Sequence, residues 1–445
     1  MSESDIQLQD HFDYRKLLKF TAPSIIMMLF TSVYGIVDGF FVSNYAGKSE
    51  FAALNLIWPY PMLLGAVGYM FGAGGSALVA KTLGEGNREH AGRYFSLIIY
   101  STLIISTILS AFGMFTLEWV AKLMGASGKL LEDAKLYGYI IMAANPTYVM
   151  QIVFQPFMVV AERPRLGLWI TVVSGMTNIV LDVIFVGLLR WGLAGAAWAS
   201  VMSQVVGMVF PVVFFITARK SKIRLGRASL EVGVMLRSFT NGLSELVTNF
   251  SICLVSMVYN WRLLIMVGEN GVAVYGFIAY VTVIFLAVFF GYSMGVAPVV
   301  SFHYGAGNRD EIKNLRKRSL NLESVAAIAI TLGAMILARP LAKLFVGYDK
   351  ELMDMTIHAF RLFATSFMLA YLNIFASSFF TALNDGVTSA IISFSRMLVF
   401  QLGAIMLLPH LLGLDGIWLS MTAAEILSLC VTVYFYFRYK TKFGY

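Results

Sequence analysis

A carboxylate inside an apolar stretch needs a chemical reason to be there, and this sequence places two in its first half. Asp38 lies in the stretch 20–41, and Asp182 lies in 166–189 with Asn178 one helical turn before it, on the same face. The next stretch carries Ser200, Ser203 and Gln204 as a polar stripe. At mid-bilayer a charged side chain costs roughly 2.5–3.5 kcal/mol, so such residues mark ion or substrate paths. If the three helices converge, Asp38, Asn178, Asp182 and Ser200 offer two carboxylates, an amide oxygen and a hydroxyl. Oxygen donors of this kind suit a small hard cation such as sodium. Two carboxylates in a low-dielectric site also raise each other's pKa, so that one carries a proton near neutral pH. The bland alternative is hydrogen-bonded glue between helices, worth about 0.6 kcal/mol per contact.

Other groups suggest a pocket for organic cations. Tyr34 precedes Asp38 by one turn and offers a ring face to a cation. Gln155, Gln204 and the pair Glu245 and Asn249 are further candidate substrate contacts. Pro23 breaks the backbone ladder of the first stretch and can serve as a hinge. In the second half, Glu425 and Arg396 are candidates for a buried ion pair. Glu323 stands near a basic loop and is expected to reach the membrane interface, and Arg361 and Arg396 are the basic residues expected deep in a span.

These residues are positioned by elements that only a bilayer explains. Hydrophobic residues make up 58% of the 445 and charged ones 13%, with a mean hydropathy of +0.75; so little charge cannot wet a soluble surface of this size. Runs between charged loops give twelve candidate spans, six between 20 and 218 and six between 238 and 437. Cys253 and Cys430 form no CxxC motif, and the five histidines form no pair at zinc-ligand spacing. No HExxH pattern points to an enzyme, and no cofactor is expected. The net charge of +8 comes from Lys and Arg in alternate loops. This is positive-inside bias rather than a nucleic-acid surface, and it predicts both termini in the cytoplasm.

The chain also repeats itself. Gly68 to Gly72 and the loop Gly84-Glu-Gly-Asn87-Arg88 recur as Gly291 to Gly295 and Gly305-Ala-Gly-Asn308-Arg309. Gly192-Leu-Ala-Gly195 recurs as Gly413-Leu-Asp-Gly416. The offset is about half the chain, so two like-oriented six-span lobes are expected, 1–218 and 238–445, joined by a basic linker 219–237.

Pro23 with Val37-Asp38-Gly39-Phe40-Phe41-Val42, Asn178-Ile-Val-Leu-Asp182 and Gly195-Ala-Ala-Trp-Ala-Ser200 resemble the first, fifth and sixth helices of prokaryotic multidrug and toxic compound extrusion (MATE) transporters, particularly the DinF-like and MepA-like branch. The resemblance implies an all-α, V-shaped protein of twelve transmembrane helices in two pseudo-symmetric six-helix lobes. It implies an inner-membrane antiporter, monomeric in the lipid bilayer, that exports organic cations such as drugs and dyes against sodium or protons. It assigns Asp38, Asn178, Asp182 and Ser200 to the ion site, with Ser200 where many relatives have threonine, and gives Pro23 the hinge role. One departure is that the tenth-helix carboxylate of the NorM-like branch has no counterpart, Asn373 being the nearest polar residue. A lipid-linked oligosaccharide flippase of the same superfamily is the competing reading. Such a protein is expected to line its cavity with several Arg and Lys.

Overall fold

The structure, a computed structural model, describes residues 6–42, 45, 48–219 and 221–445, without the side chains of 36, 38–40, 48 and 49. Among the described residues there is no strand. The amino-terminal half runs through α1 (Tyr14–Phe41), α2 (Lys48–Ile57), α3 (Pro59–Gly84), α4 (Arg88–Leu123), α5 (Gly128–Val160), α6 (Pro164–Asp182) and α7 (Gly192–Thr217). The second half runs through α8 (Val232–Val267), α9 (Glu269–Gly305), α10 (Arg309–Val346), α11 (Lys350–Ala364), α12 (Phe367–Ala382), α13 (Gly386–Phe394), α14 (Leu402–Leu412), α15 (Leu414–Trp418) and α16 (Ser420–Phe443). π-helical segments interrupt this order at Val183–Leu188, directly after α6, and at Ser395–Gln401, between α13 and α14.

Among the described residues, ten helices are long and apolar enough to cross a membrane, and α11 with α12, bent by 45°, supplies an eleventh span. The twelfth is α5. Its 33 residues extend about 50 Å at 1.5 Å per residue, but Asn145, Gln151, Gln155 and two prolines dilute its hydropathy. Helices α2, α3, α4 and α7 surround it. Those polar groups therefore face protein rather than lipid, which is where a membrane helix can hold them.

The two halves meet as a pseudo-symmetric pair. Helix α1 packs on α9 and α3 packs on α8, while α3 and α9 also pack on each other. Exchanging the halves converts the first contact into the second and leaves the third unchanged. Glycines make this close approach possible, because a membrane-helix interface gains from backbone proximity. A Cβ on Gly84 would lie 2.0 Å from the carbonyl oxygen of Phe302, and a Cβ on Gly305 would lie 2.0 Å from that of Lys81. Gly74 faces Ser238 and Gly242, while Gly295 faces Thr21 in the equivalent position. The GxxxG-like match is less exact than its sequence suggests. Gly68 and Gly72 seat α5 within their own half, whereas Gly291 seats α1 across the interface.

The two Gly-x-Gly-Asn loops are built alike. Gly86 and Gly307 take φ of +83° and +68°, where an L side chain is disfavoured. Asn87 and Asn308 then cap the following helices by accepting from the N–H groups of His90 and Glu311. Both loops stand on the face that carries the chain termini. The inter-half glycine contacts gather at the span ends nearest that face, and the V-shaped fold diverges toward the other.

An amino-terminal strap crosses the closed face. Leu8 and Phe12 are fully buried in a core shared by Val159 of one half and Val299, Val300 and Ile312 of the other. The Leu8 N–H donates to Glu162 Oε1 at 2.6 Å, an oxygen also paired with Lys222 Nζ at 2.6 Å. The Phe12 N–H donates to Glu311 Oε1 at 2.9 Å, and Asn314 Nδ2 donates to the Phe12 carbonyl at 2.9 Å.

Candidate ion-coupling and substrate site

The amino-terminal half holds a polar seam where α5, α6 and α7 converge. Gln151 Nε2 on α5 donates to Ser174 Oγ at 3.1 Å, and Ser174 Oγ donates to the Ser203 carbonyl at 2.6 Å. One turn further along α6, Asn178 Nδ2 lies 3.5 Å from Ser200 Oγ. Asp182 follows one more turn on, fully buried at the end of α6. There the helix widens into its π-helical turn, a distortion that frequently marks functional sites in membrane and soluble proteins alike. On the α5 side, Thr147 Oγ1 lies 3.4 Å from Gln204 Oε1.

Helix α1 closes the seam along α6. A Cβ on Gly175 would sit 2.5 Å from the Phe30 ring and 3.1 Å from the Tyr34 ring. Gly175 therefore admits both aromatics against α6, one turn below Asn178. Asp38 lies one turn beyond Tyr34 on the same helix, and its side chain lies outside the described residues. Pro23 is buried, and α1 continues through it as helix. Its turn leans on α9, where Gly291 receives Ile25 and the Ser24 carbonyl.

The remaining candidates are dispersed. Gln155 is half-buried on α5, and Gln204 is buried on α7. Glu245 and Asn249 stand together on α8, but Asn249 Nδ2 donates to the Glu245 backbone carbonyl at 2.8 Å rather than to its carboxylate. Gln151, Ser174 and Thr147 complete the seam, although their residue types alone did not distinguish them; Asn145 faces Gly65 of α3 instead. Asn145 is buried with neither side-chain polar atom hydrogen-bonded.

The second half has a different buried cluster. Arg396, in the π-helical segment Ser395–Gln401, donates from Nη2 and Nε to Glu425 Oε1 at 2.6 and 2.9 Å. Asn373 Nδ2 donates to Glu425 Oε2 at 2.7 Å, and Thr432 Oγ1 donates to Asn373 Oδ1 at 2.7 Å. The guanidinium is thus a covalently held cation on the one carboxylate of the cluster. One expectation is corrected here. Glu323 does not reach the interface: it is 2% exposed, and neither carboxyl oxygen has a hydrogen-bond partner. Arg361, within the bent span of α11 and α12, is exposed on α11.

The MatE family model matches residues 23–184 and again 246–405. This chain belongs to the MatE family. The double match coincides with the two halves of the fold. Relatives named Multidrug export protein MepA include that of Staphylococcus haemolyticus, 21% identical over 433 residues and covering 96% of this chain and 94% of the relative. Another, from Staphylococcus saprophyticus, is 22% identical over 93% and 91% of the two chains. Among solved structures, a MATE transporter in complex with MaL6 superposes with a TM-score of 0.93 at 22% identity, over the whole of both chains. An outward-facing multidrug resistance MATE transporter of the MOP superfamily gives 0.90 at 24% identity, over 98% and 97%. At these identities the structures establish the MATE fold, that of a multi-pass membrane protein with two six-helix lobes.

Proposed function

We propose that this protein is a secondary multidrug antiporter that exports amphipathic organic cations in exchange for sodium or protons by alternating access. The observation that carries the reading is Asp182, a fully buried carboxylate one turn from Asn178, which itself approaches Ser200. A buried carboxylate with amide and hydroxyl oxygens beside it fits a small cation, and protonation of the carboxyl serves the same end. The MatE membership and the MepA relatives, which are multidrug export proteins, support the transport class.

In this reading Asp38, Asn178, Asp182 and Ser200 take the coupling ion, while Tyr34, Asp38, Gln155, Gln204, Glu245 and Asn249 contact the drug. The lobes 1–218 and 238–445 rock about the interface, joined by the linker 219–237. With both termini in the cytoplasm of an inner-membrane monomer, the cleft opens outward. A cation entering from outside neutralises the site and lets α1 bend at Pro23, which lowers drug affinity. Only such a difference in affinity lets one ligand drive the other out. In the second half Glu425 takes no exchangeable ion, because Arg396 already neutralises it.

The test is dye efflux from vesicles, with pH and sodium gradients imposed separately and a lipid-linked oligosaccharide as comparison cargo. Asp182→Asn and Asp38→Asn should abolish gradient-driven efflux in folded protein. Translocation of the lipid without movement of any organic cation would replace the antiporter with a flippase.

A further inference from the structure

A cavity of about 530 Å³ opens between the first turns of α10 and the end of α16, remote from the polar seam. Lys313, Arg316, Lys317 and Lys440 line it together with Asn321 and Tyr445, and no Asp or Glu is among its lining residues. Two acids stand close by: Asp310, almost wholly exposed, lies 3.6 Å from Lys313 Nζ, and Asp385 lies 3.3 Å from Lys442 Nζ. Arg316 is fixed by stacking, its guanidinium carbon 5.1 Å from the Tyr445 ring centre and 5.8 Å from that of Tyr436. Its Nε is buried without a hydrogen-bond partner. Four cations gathered with so little compensation repel one another, and an anion with several acceptor oxygens would relieve that repulsion.

The cavity's height in the membrane identifies the anion. On α10 the exposed apolar surface starts at Val325, 68% exposed, one turn beyond Asn321. On α16 it ends at Phe437, 75% exposed, one turn before Lys440. The cations therefore ring the boundary between hydrocarbon and water, with Leu320 at the apolar side. Basic pockets between membrane helices at this level hold phosphodiester head groups.

We infer that this cavity is a binding site for the head group of an anionic phospholipid. Arg316 faces the phosphate, Lys317 and Lys440 flank it, and the acyl chains descend along the exposed sides of α10 and α16. Free phosphate shares the charge but lacks the chains, so it is expected to bind far more weakly.

The test is native mass spectrometry of the full-length protein in detergent. Phosphatidylglycerol and phosphatidylcholine of identical chains are titrated in, and inorganic phosphate is added as competitor. The expected result is retention of phosphatidylglycerol at least tenfold tighter than phosphatidylcholine, undisturbed by millimolar phosphate. Arg316→Gln should lose that preference. Lys317→Gln with Lys440→Gln should lose it too, and both lysines are exposed and in no ion pair among the described residues, so the fold is expected to stand. Equal retention of the two lipids, or an unchanged preference in the double variant, would overturn the site. Displacement of the lipid by equimolar phosphate would overturn the lipid as its occupant.

Discussion

Gly84 and Gly305, separated by half the chain, back onto each other's helices through a reciprocal contact. Gly84 faces the Phe302 carbonyl, and Gly305 faces that of Lys81. Neither place has room for a methyl group. The obstacle in each case is backbone, which cannot rotate aside as a side chain does. The two glycines are therefore compatible with the closed face seen here and place no such demand on a conformation in which that face parts.

Alanine at either position should shift the balance between conformations. Overpacking of a tight interface costs about 1–3 kcal/mol, enough to change a two-state ratio by roughly five- to a hundred-fold. Spin labels across the face that carries the termini should report longer distances in Gly84→Ala and Gly305→Ala. Gly92→Ala is the control, because nothing lies within 4 Å of the Cβ it would add. Unchanged distances in both interface variants would show that the contact does not hold the face closed.

The strap of residues 6–12 should act on the same equilibrium. Glu311 accepts the Phe12 N–H and lies 2.6 Å from His11 Nδ1. Hydrogen bonds to a charged group contribute about 1.5–3 kcal/mol. Glu311→Gln should accordingly lower hydrogen-exchange protection of the Leu8 and Phe12 amides by on the order of tenfold. Protection equal to that of the parent protein would mean that apolar burial alone holds the strap.

Much of this architecture is legible in the chain, for definite physical reasons. Charged loops punctuate apolar runs, and Gly-x-Gly-Asn recurs because both loops need a positive φ and an asparagine cap. The approach of Asn178 to Ser200 follows from helical periodicity once α6 and α7 pack. Which faces meet across the interface is not legible, since Gly68 and Gly74 look equivalent in sequence yet only Gly74 touches the other half. Glu323 misled for a similar reason. Its distance from a basic loop is visible in the chain, but the burial that separates it from that loop is set by neighbouring helices.

Ser200 offers a graded test of ion coupling. Removing one hydroxyl oxygen from a cation site leaves the carboxylate in place, so Ser200→Ala should weaken sodium binding rather than abolish transport. The expected change is on the order of tenfold in half-saturating sodium, about the value of one polar contact, with the maximal rate retained. Proton-driven efflux should be spared, because protonating a carboxyl needs no hydroxyl ligand. Unaltered sodium dependence in Ser200→Ala would remove Ser200 from the ion site.

The Arg396–Glu425 pair separates a structural cluster from a transport site. Breaking a buried pair by removing one partner leaves an uncompensated charge, at a cost of about 3–5 kcal/mol. Arg396→Met should therefore lower the melting temperature markedly, with the Glu425 carboxylate left to Asn373 alone. Replacing both residues removes both charges at once, and apolar substitutes for such pairs are often neutral or stabilising. Arg396→Met with Glu425→Met should consequently recover most of the loss. Asn373 and Thr432 would keep their mutual hydrogen bond at 2.7 Å. Because Arg396 occupies Glu425 as a fixed cation, the double variant should also retain gradient-driven efflux. A double variant that melts like the parent protein yet transports nothing would place the pair in the transport cycle, and the second half would then need a moving charge of its own.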